Sequence, residues 1–132
     1  LLGKYMTTLI ICLFIAALLP LVAKVPVAFA MHKLGRYNNN HPRAQQAELT
    51  GFGARALAAH QNAFEALIIF APAVLLAIAT KNTGTVIEQL AITHVIARVL
   101  YNIAYLMDIA TIRSLIWAVG MVSALAMIFL CL

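Results

Sequence analysis

Two stretches of this sequence place hydrogen-bonding and ionisable side chains at helical spacing inside otherwise apolar surroundings. The first, RALAAHQNAFE at residues 55–65, carries Arg55, His60, Gln61, Asn62 and Glu65 and runs directly into ALIIFAPAVLLAIA. The second, RVLYNIAYLMD at residues 98–108, carries Arg98, Tyr101, Asn102, Tyr105 and Asp108. At about 100° per residue, Arg55, Gln61, Asn62 and Glu65 fit within an arc of roughly 120°, with His60 on the far side. Arg98, Tyr101, Asn102, Tyr105 and Asp108 share a comparable arc on their own helix. Cations, amides, phenols and carboxylates on one stripe suit the grip of a charged polar ligand.

The elements that must position these residues are membrane helices. The chain has 132 residues, of which 64% are hydrophobic and 10% charged, with a mean hydropathy of +0.98. Soluble domains are about half apolar and about a quarter charged, so this excess of apolar surface faces lipid. A hydrocarbon core of about 30 Å asks for roughly 20 apolar residues per helix. Four stretches meet that need: about 5–32, 46–80, 85–107 and 112–131. No segment shows the in/out alternation of a membrane barrel. The first stretch is also too long, and lacks the small-residue cleavage pattern, for a removed signal peptide.

The expected fold is therefore an all-α integral membrane protein, a single four-transmembrane-helix domain over residues 1–132. KLGRYNNNHPRA (33–44) is the one substantial loop, and its Gly, Asn and Pro content is breaker chemistry. KNTG (81–84) and the turn at 108–111 are short, which makes consecutive helices antiparallel neighbours. Lys33, Arg36 and Arg43 lie in the first loop, with Arg113 on the same side, against Lys4 and Lys81 opposite. The positive-inside rule places the long loop in the cytoplasm and both termini outside.

Ionisable groups at membrane depth cost at least about 2.5–3.5 kcal/mol each on insertion scales, so they face protein or a wet cavity. Two readings account for them. Arg55, Glu65, Arg98 and Asp108 neutralise one another as interhelical glue, or the stripes line a polar pocket. The pocket also uses the surplus capacity of Gln61, Asn62, Tyr101 and Tyr105.

Other residues support plainer roles. His60 and His94 lack metal spacing and are expected to bond neighbouring carbonyls, with no metal site. Tyr5, Tyr37 and Trp117 read as interface anchors, Pro20, Pro26 and Pro72 as kinks, and Cys12 and Cys131 as small apolar fillers. The net charge of +5 is dispersed, which gives nucleic-acid binding no support. No nucleophile elbow or phosphate loop is present, and no broken half-helix points to a transporter.

At these same residues the chain resembles the MAPEG superfamily, membrane-associated proteins of eicosanoid and glutathione metabolism, in a bacterial variant. AAHQNAFE matches the family's second-helix pattern at Ala59, His60, Asn62 and Glu65. ARVLYNIAYL matches the third-helix pattern at Arg98, Tyr101 and Tyr105, and IRS opens the fourth helix with Arg113 and Ser114. Three positions depart from the pattern, one of them Gln61, a position that is Arg in some prostaglandin synthases of the family. Ala58 stands where the family usually has Arg, and Lys24 is the nearest candidate for the basic residue late in the first helix.

The resemblance implies a homotrimer in a bacterial inner membrane, with glutathione as cosubstrate held between subunits near the cytoplasmic face. Arg55, Gln61, Asn62, Glu65, Arg98, Tyr101, Tyr105 and Lys24 are the implied glutathione contacts. Arg113 and Ser114 are the implied stabilisers of its thiolate. An adjacent cation lowers a thiol pKa from around 8.5, and the fourth helix adds its positive dipole end. The implied activity is that of a glutathione transferase or peroxidase acting on a lipophilic electrophile or a lipid hydroperoxide entering from the bilayer. The alternative is a non-catalytic member that binds lipid or another membrane protein.

Overall fold

A computed structural model describes residues 2–132 as five helices. In chain order these are α1 (Leu2–Lys33), α2 (Pro42–Gln46), α3 (Phe52–Ala79), α4 (Thr85–Leu106) and α5 (Ala110–Phe129). All but α2 are long and apolar enough to cross a membrane. The architecture is the expected four-span helical bundle. The second span differs at its start: it begins at Phe52, not near 46. Pro42–Gln46 folds as a separate short helix with proline in its first turn, and Gly51, at φ 55°, breaks the chain between the two.

α1 packs chiefly on α3 and α4 chiefly on α5, while α3 also touches both α4 and α5, and α1 touches α4. The central pair, α3 and α4, carries both polar stripes. Small residues allow the close approach: Gly53, Ala56, Ala59, Ala63, Ala66, Ala73 and Ala77 are all buried on α3. Such residues let backbones approach where lipid supplies no hydrophobic drive between helices. A Cβ at Gly53 would lie 2.9 Å from Leu49 Cδ2 and 3.0 Å from Ala30 Cβ, so α1 and α3 touch there because no side chain intervenes.

Two apolar clusters bracket the polar level. One joins Leu9 and Cys12 of α1 to Phe70 and Val74 of α3, Ile87 of α4 and Met127 of α5. The other, near the long loop, joins Val27 and Met31 to Ala56. Residues 59–66 of α3 lie between them along the helix. α1 runs unbroken through Pro20 and Pro26, as α3 does through Pro72.

The short turns are set by left-handed residues. Lys81 (φ 59°) and Asp108 (φ 60°) each follow a helix C-cap. The Lys81 and Asn82 N–H groups donate to Ile78 and Ala77 carbonyls, and those of Asp108 and Ile109 to Tyr105 and Ala104. This is the Schellman pattern, which satisfies the last carbonyls of a helix. At the second turn it delivers Arg113, inside the first turn of α5, back toward the end of α4. The Tyr5 hydroxyl meets Thr85 Oγ1 at 2.9 Å, which puts the start of α1 beside the Lys81 turn. Four spans then bring the long loop and Arg113 together at the opposite end.

Candidate functional site

The polar side chains of α3 and α4 meet as a chain of contacts that ends on α5. Arg98 is 3% exposed, and its Nη2 donates to Asn62 Oδ1 across the α3–α4 interface. Its guanidinium lies 4.4 Å from the centre of the Tyr101 ring. One turn on, the Tyr101 and Tyr105 rings pack edge to face, 5.6 Å apart. Arg113 completes the series, 4.2 Å from the Tyr105 ring centre. Cations over aromatic faces gain about 0.5–2 kcal/mol, more when desolvated. Such contacts leave the guanidinium N–H donors free for an anion.

Tyr101, Tyr105, Arg113, Ser114 and Trp117 line a cavity of about 270 Å³ between α4 and α5. Ser114 is exposed, and Tyr105 and Arg113 are half-buried. Glu65, also exposed on α3, lies within Coulombic range of Arg98 and Tyr101. Arg55 Nη2 reaches the Leu106 carbonyl at 3.5 Å, which ties α3 to the end of α4.

The polar groups at this end are not saturated. The buried atoms Arg55 Nε, Arg98 Nε and Asn102 Nδ2 have no hydrogen-bond partner among the described residues. Nor, among the described residues, does any Lys or Arg nitrogen there lie within 4.0 Å of a carboxylate oxygen. The reading in which Arg55, Glu65, Arg98 and Asp108 neutralise one another is therefore not realised within one copy. Asp108 instead sits in the turn, where its left-handed backbone, which Asp tolerates better than most residues, sets the direction of α5. Within one copy Arg98 and Asn102 are also enclosed, so a lone bundle does not expose the α4 stripe to lipid as a whole. Glu65 and Asp108 are the carboxylic side chains of the two stripes left exposed.

Gln61 and Lys24 lie elsewhere, and the single arc drawn through Arg55, Gln61, Asn62 and Glu65 divides in the structure. Asn62 faces α4, whereas Gln61 opens with Lys24, Tyr37, Arg43 and His60 into a separate cavity of about 280 Å³ between α1 and α3. The cause is the 100° step between Gln61 and Asn62 on a helix that has neighbours on both sides. His60 bonds on the same α1 side, its Nδ1 donating to the Pro20 carbonyl at 2.7 Å.

His94 is 1% exposed. Its Nδ1 donates to the Gly120 carbonyl at 2.7 Å, and its ring stacks on Phe70 at 4.1 Å and 11°. Both histidines thus meet the expectation of carbonyl partners. Trp117, set down as an interface anchor, is the residue sequence reasoning missed at the site. Its place four residues after Arg113, one helical turn, was the available signal. Asn102 was on the stripe without a role; it is buried, and its Nδ2 has no partner among the described residues.

Comparison with curated proteins and with solved structures returned no match. A family model does match, that of the MAPEG family, over residues 8–132. That range takes in both polar stripes, the Arg113–Ser114 pair and nearly all of the four apolar spans. The chain therefore belongs to the MAPEG family, as an integral membrane protein of four helices.

Proposed function

We propose that the α3–α4–α5 end binds glutathione and directs its thiolate at a lipophilic electrophile or a lipid hydroperoxide. One observation carries the reading: Arg98 is buried between α3 and α4 with its Nε unpartnered, and Arg55 Nε and Asn102 Nδ2 are likewise buried without a partner among the described residues. Glutathione brings two carboxylates, one ammonium and one thiol. Two carboxylates complement the surplus of guanidinium groups, and Glu65 complements the ammonium. The orphaned Arg98 Nε and Asn102 Nδ2 supply donors that no side chain of this copy uses.

Within that arrangement Asn62 fixes Arg98, and the Tyr101 and Tyr105 faces hold Arg98 and Arg113 apart along one wall. Arg113 and Ser114, at the head of α5, are the groups to stabilise the thiolate. The cation lowers the thiol pKa, the hydroxyl donates a hydrogen bond, and the helix N-terminus adds partial positive charge. In transfer, the thiolate adds to the electrophilic carbon. In peroxide reduction, two glutathiones are oxidised to the disulfide while the hydroperoxide becomes alcohol and water. Trp117, 42% exposed beside Ser114, gives the lipophilic partner a flat apolar surface on the lipid side.

A homotrimer in a bacterial inner membrane belongs to this proposal. The exposed Glu65 favours a neighbouring copy against α3, because an ionised carboxylate facing lipid is costly. The grouping of Lys33, Arg36, Arg43 and Arg113 at one end favours a cytoplasmic long loop. A second reading rests on Ala58, which is half-buried where the family usually has Arg. A protein lacking that clamp suits non-catalytic binding of lipid or a membrane protein.

The thiolate absorbance of bound glutathione near neutral pH, read beside conjugation to an aryl halide, separates the two readings. The transferase reading expects both signals in the wild type. A well-folded protein that shows neither gives the function to the non-catalytic reading.

A further inference from the structure

The second cavity belongs to no part of the site just described. It lies between α1 and α3 beneath the long loop, with a volume of about 280 Å³. Lys24 of α1 and Arg43 of α2 both line it, near enough for each to feel the other's charge. Gln46, Gln61 and Tyr37 add neutral hydrogen-bonding groups, and among the described residues no carboxylate lines the cavity. Two like charges with uncharged donors around them, and no counter-ion among the described residues of the lining, describe a site for an anion.

The loop is built to hold Arg43 there. Gln45 Nε2 donates to the Met31 carbonyl at 3.2 Å and to the Arg36 carbonyl at 2.6 Å, while its Oε1 accepts from the Asn38 N–H at 2.8 Å. Asn38 Oδ1 in turn accepts from the Asn40 and His41 N–H groups, both at 3.1 Å. These bonds pin α2 across the end of the α1–α3 groove, so Arg43 is positioned without help from a ligand.

Depth and surroundings identify the class of anion. α1 has 32 residues, about 48 Å at 1.5 Å per residue, which exceeds the hydrocarbon core by about 18 Å. A surplus on the loop side carries Lys24, nine residues before Lys33, to headgroup depth. Below the polar groups the same helix faces turn apolar and stay open: Leu21 and Phe14 on α1, each 63% exposed, and Phe64 (47%) and Ile68 (71%) on α3. Charge above and open hydrocarbon below, on both walls of one groove, match an amphiphile with an anionic head. Basic pockets between membrane helices on the cytoplasmic side take such headgroups.

We infer that the Lys24–Arg43 cavity binds the phosphate headgroup of an anionic phospholipid, whose acyl chains lie along the α1–α3 groove. This inference stands independently of the glutathione reading.

The test measures the affinity of the detergent-solubilised protein for a short-chain phosphatidylglycerol by native mass spectrometry. Phosphatidylcholine, inorganic phosphate and glutathione are the comparison ligands. Wild type should prefer phosphatidylglycerol to phosphatidylcholine, and Lys24→Gln and Arg43→Gln should each weaken it by about fivefold. Lys24→Arg should restore the affinity, which separates loss of charge from loss of fold. Equal binding of phosphatidylglycerol and phosphatidylcholine, or unchanged affinity in both Gln variants, overturns the inference. Inorganic phosphate binding as tightly as the lipid would assign the cavity to a soluble anion instead. Displacement of the lipid by glutathione would fold this cavity into the glutathione site, and the inference would fall.

Discussion

His94 and Arg98 stand one turn apart on α4, and both are almost wholly buried, at 1% and 3% exposure. Around His94 the packing is tight: the Gly120 carbonyl accepts a hydrogen bond from Nδ1, Phe70 covers the ring face, and Gly120 leaves room for the ring. A Cβ at Gly120 would already sit 3.3 Å from Ala97 Cβ and 3.8 Å from His94 Nδ1. Around Arg98 the hydrogen bonding is incomplete, with one bond to Asn62, a tyrosine face and a free Nε. Burial alone does not separate the two residues. What separates them is a buried polar atom without a partner: Arg98 has one in its Nε, and His94 has none among the described residues.

That contrast can be broken by substitutions whose costs fall in different observables. Phe70→Ala has the largest expected effect, about 3–5 kcal/mol of stability from the lost ring and the cavity beside His94. A denaturation series in mild detergent reads it, and glutathione should restore none of the lost packing. Arg113→Ala should lower conjugation turnover by about 10²–10³ and leave the denaturation midpoint close to wild type. An equal loss in Arg36→Ala, a loop residue at the same end of the bundle, would contradict a specific role.

Asn62→Ala sharpens the comparison, because Asn62 is the one hydrogen-bond partner of the Arg98 guanidinium among the described residues. Leaving that guanidinium short of a partner should cost about 1–3 kcal/mol, and saturating glutathione should recover part of it by engaging Arg98. No recovery with ligand bound would make Asn62 and Arg98 a structural pair like His94 and Gly120. The smallest effects belong to the two turns. Lys81→Gly and Asp108→Gly each remove a side chain from a left-handed position and should stabilise by about 1 kcal/mol or less. Only the Asp108 change, at the open end, is expected to alter glutathione binding, since Asp108 sets how α5 carries Arg113 toward Tyr105.

The readable part of this molecule was what depends on one helix at a time. Hydropathy located four spans within a few residues, and periodicity put Arg98, Tyr101 and Tyr105 on one face, where they lie. What needs two helices was not readable in the same way. A helical wheel gives Gln61 an angle near Asn62 but does not say that α1 lies on one side of that step and α4 on the other. Lys24 joined the expected glutathione contacts through resemblance, yet it faces a cavity closed by α2. That helix was hidden because PRAQQ reads equally well as the end of a loop or the start of the next span. Trp117 looked like any interfacial aromatic until the turn at Asp108 brought its helix against α4.

Calorimetric titration of glutathione into the detergent-solubilised protein tests the central claim most directly, because it asks whether the free guanidinium donors have a ligand. Saturable binding is predicted for the wild type and for Arg36→Ala. Arg113→Ala should bind tenfold more weakly or worse, the cost of about 1.5–3 kcal/mol for one charge-assisted hydrogen bond. A folded wild-type protein that takes up no glutathione, or an Arg36→Ala variant as impaired as Arg113→Ala, would contradict the account.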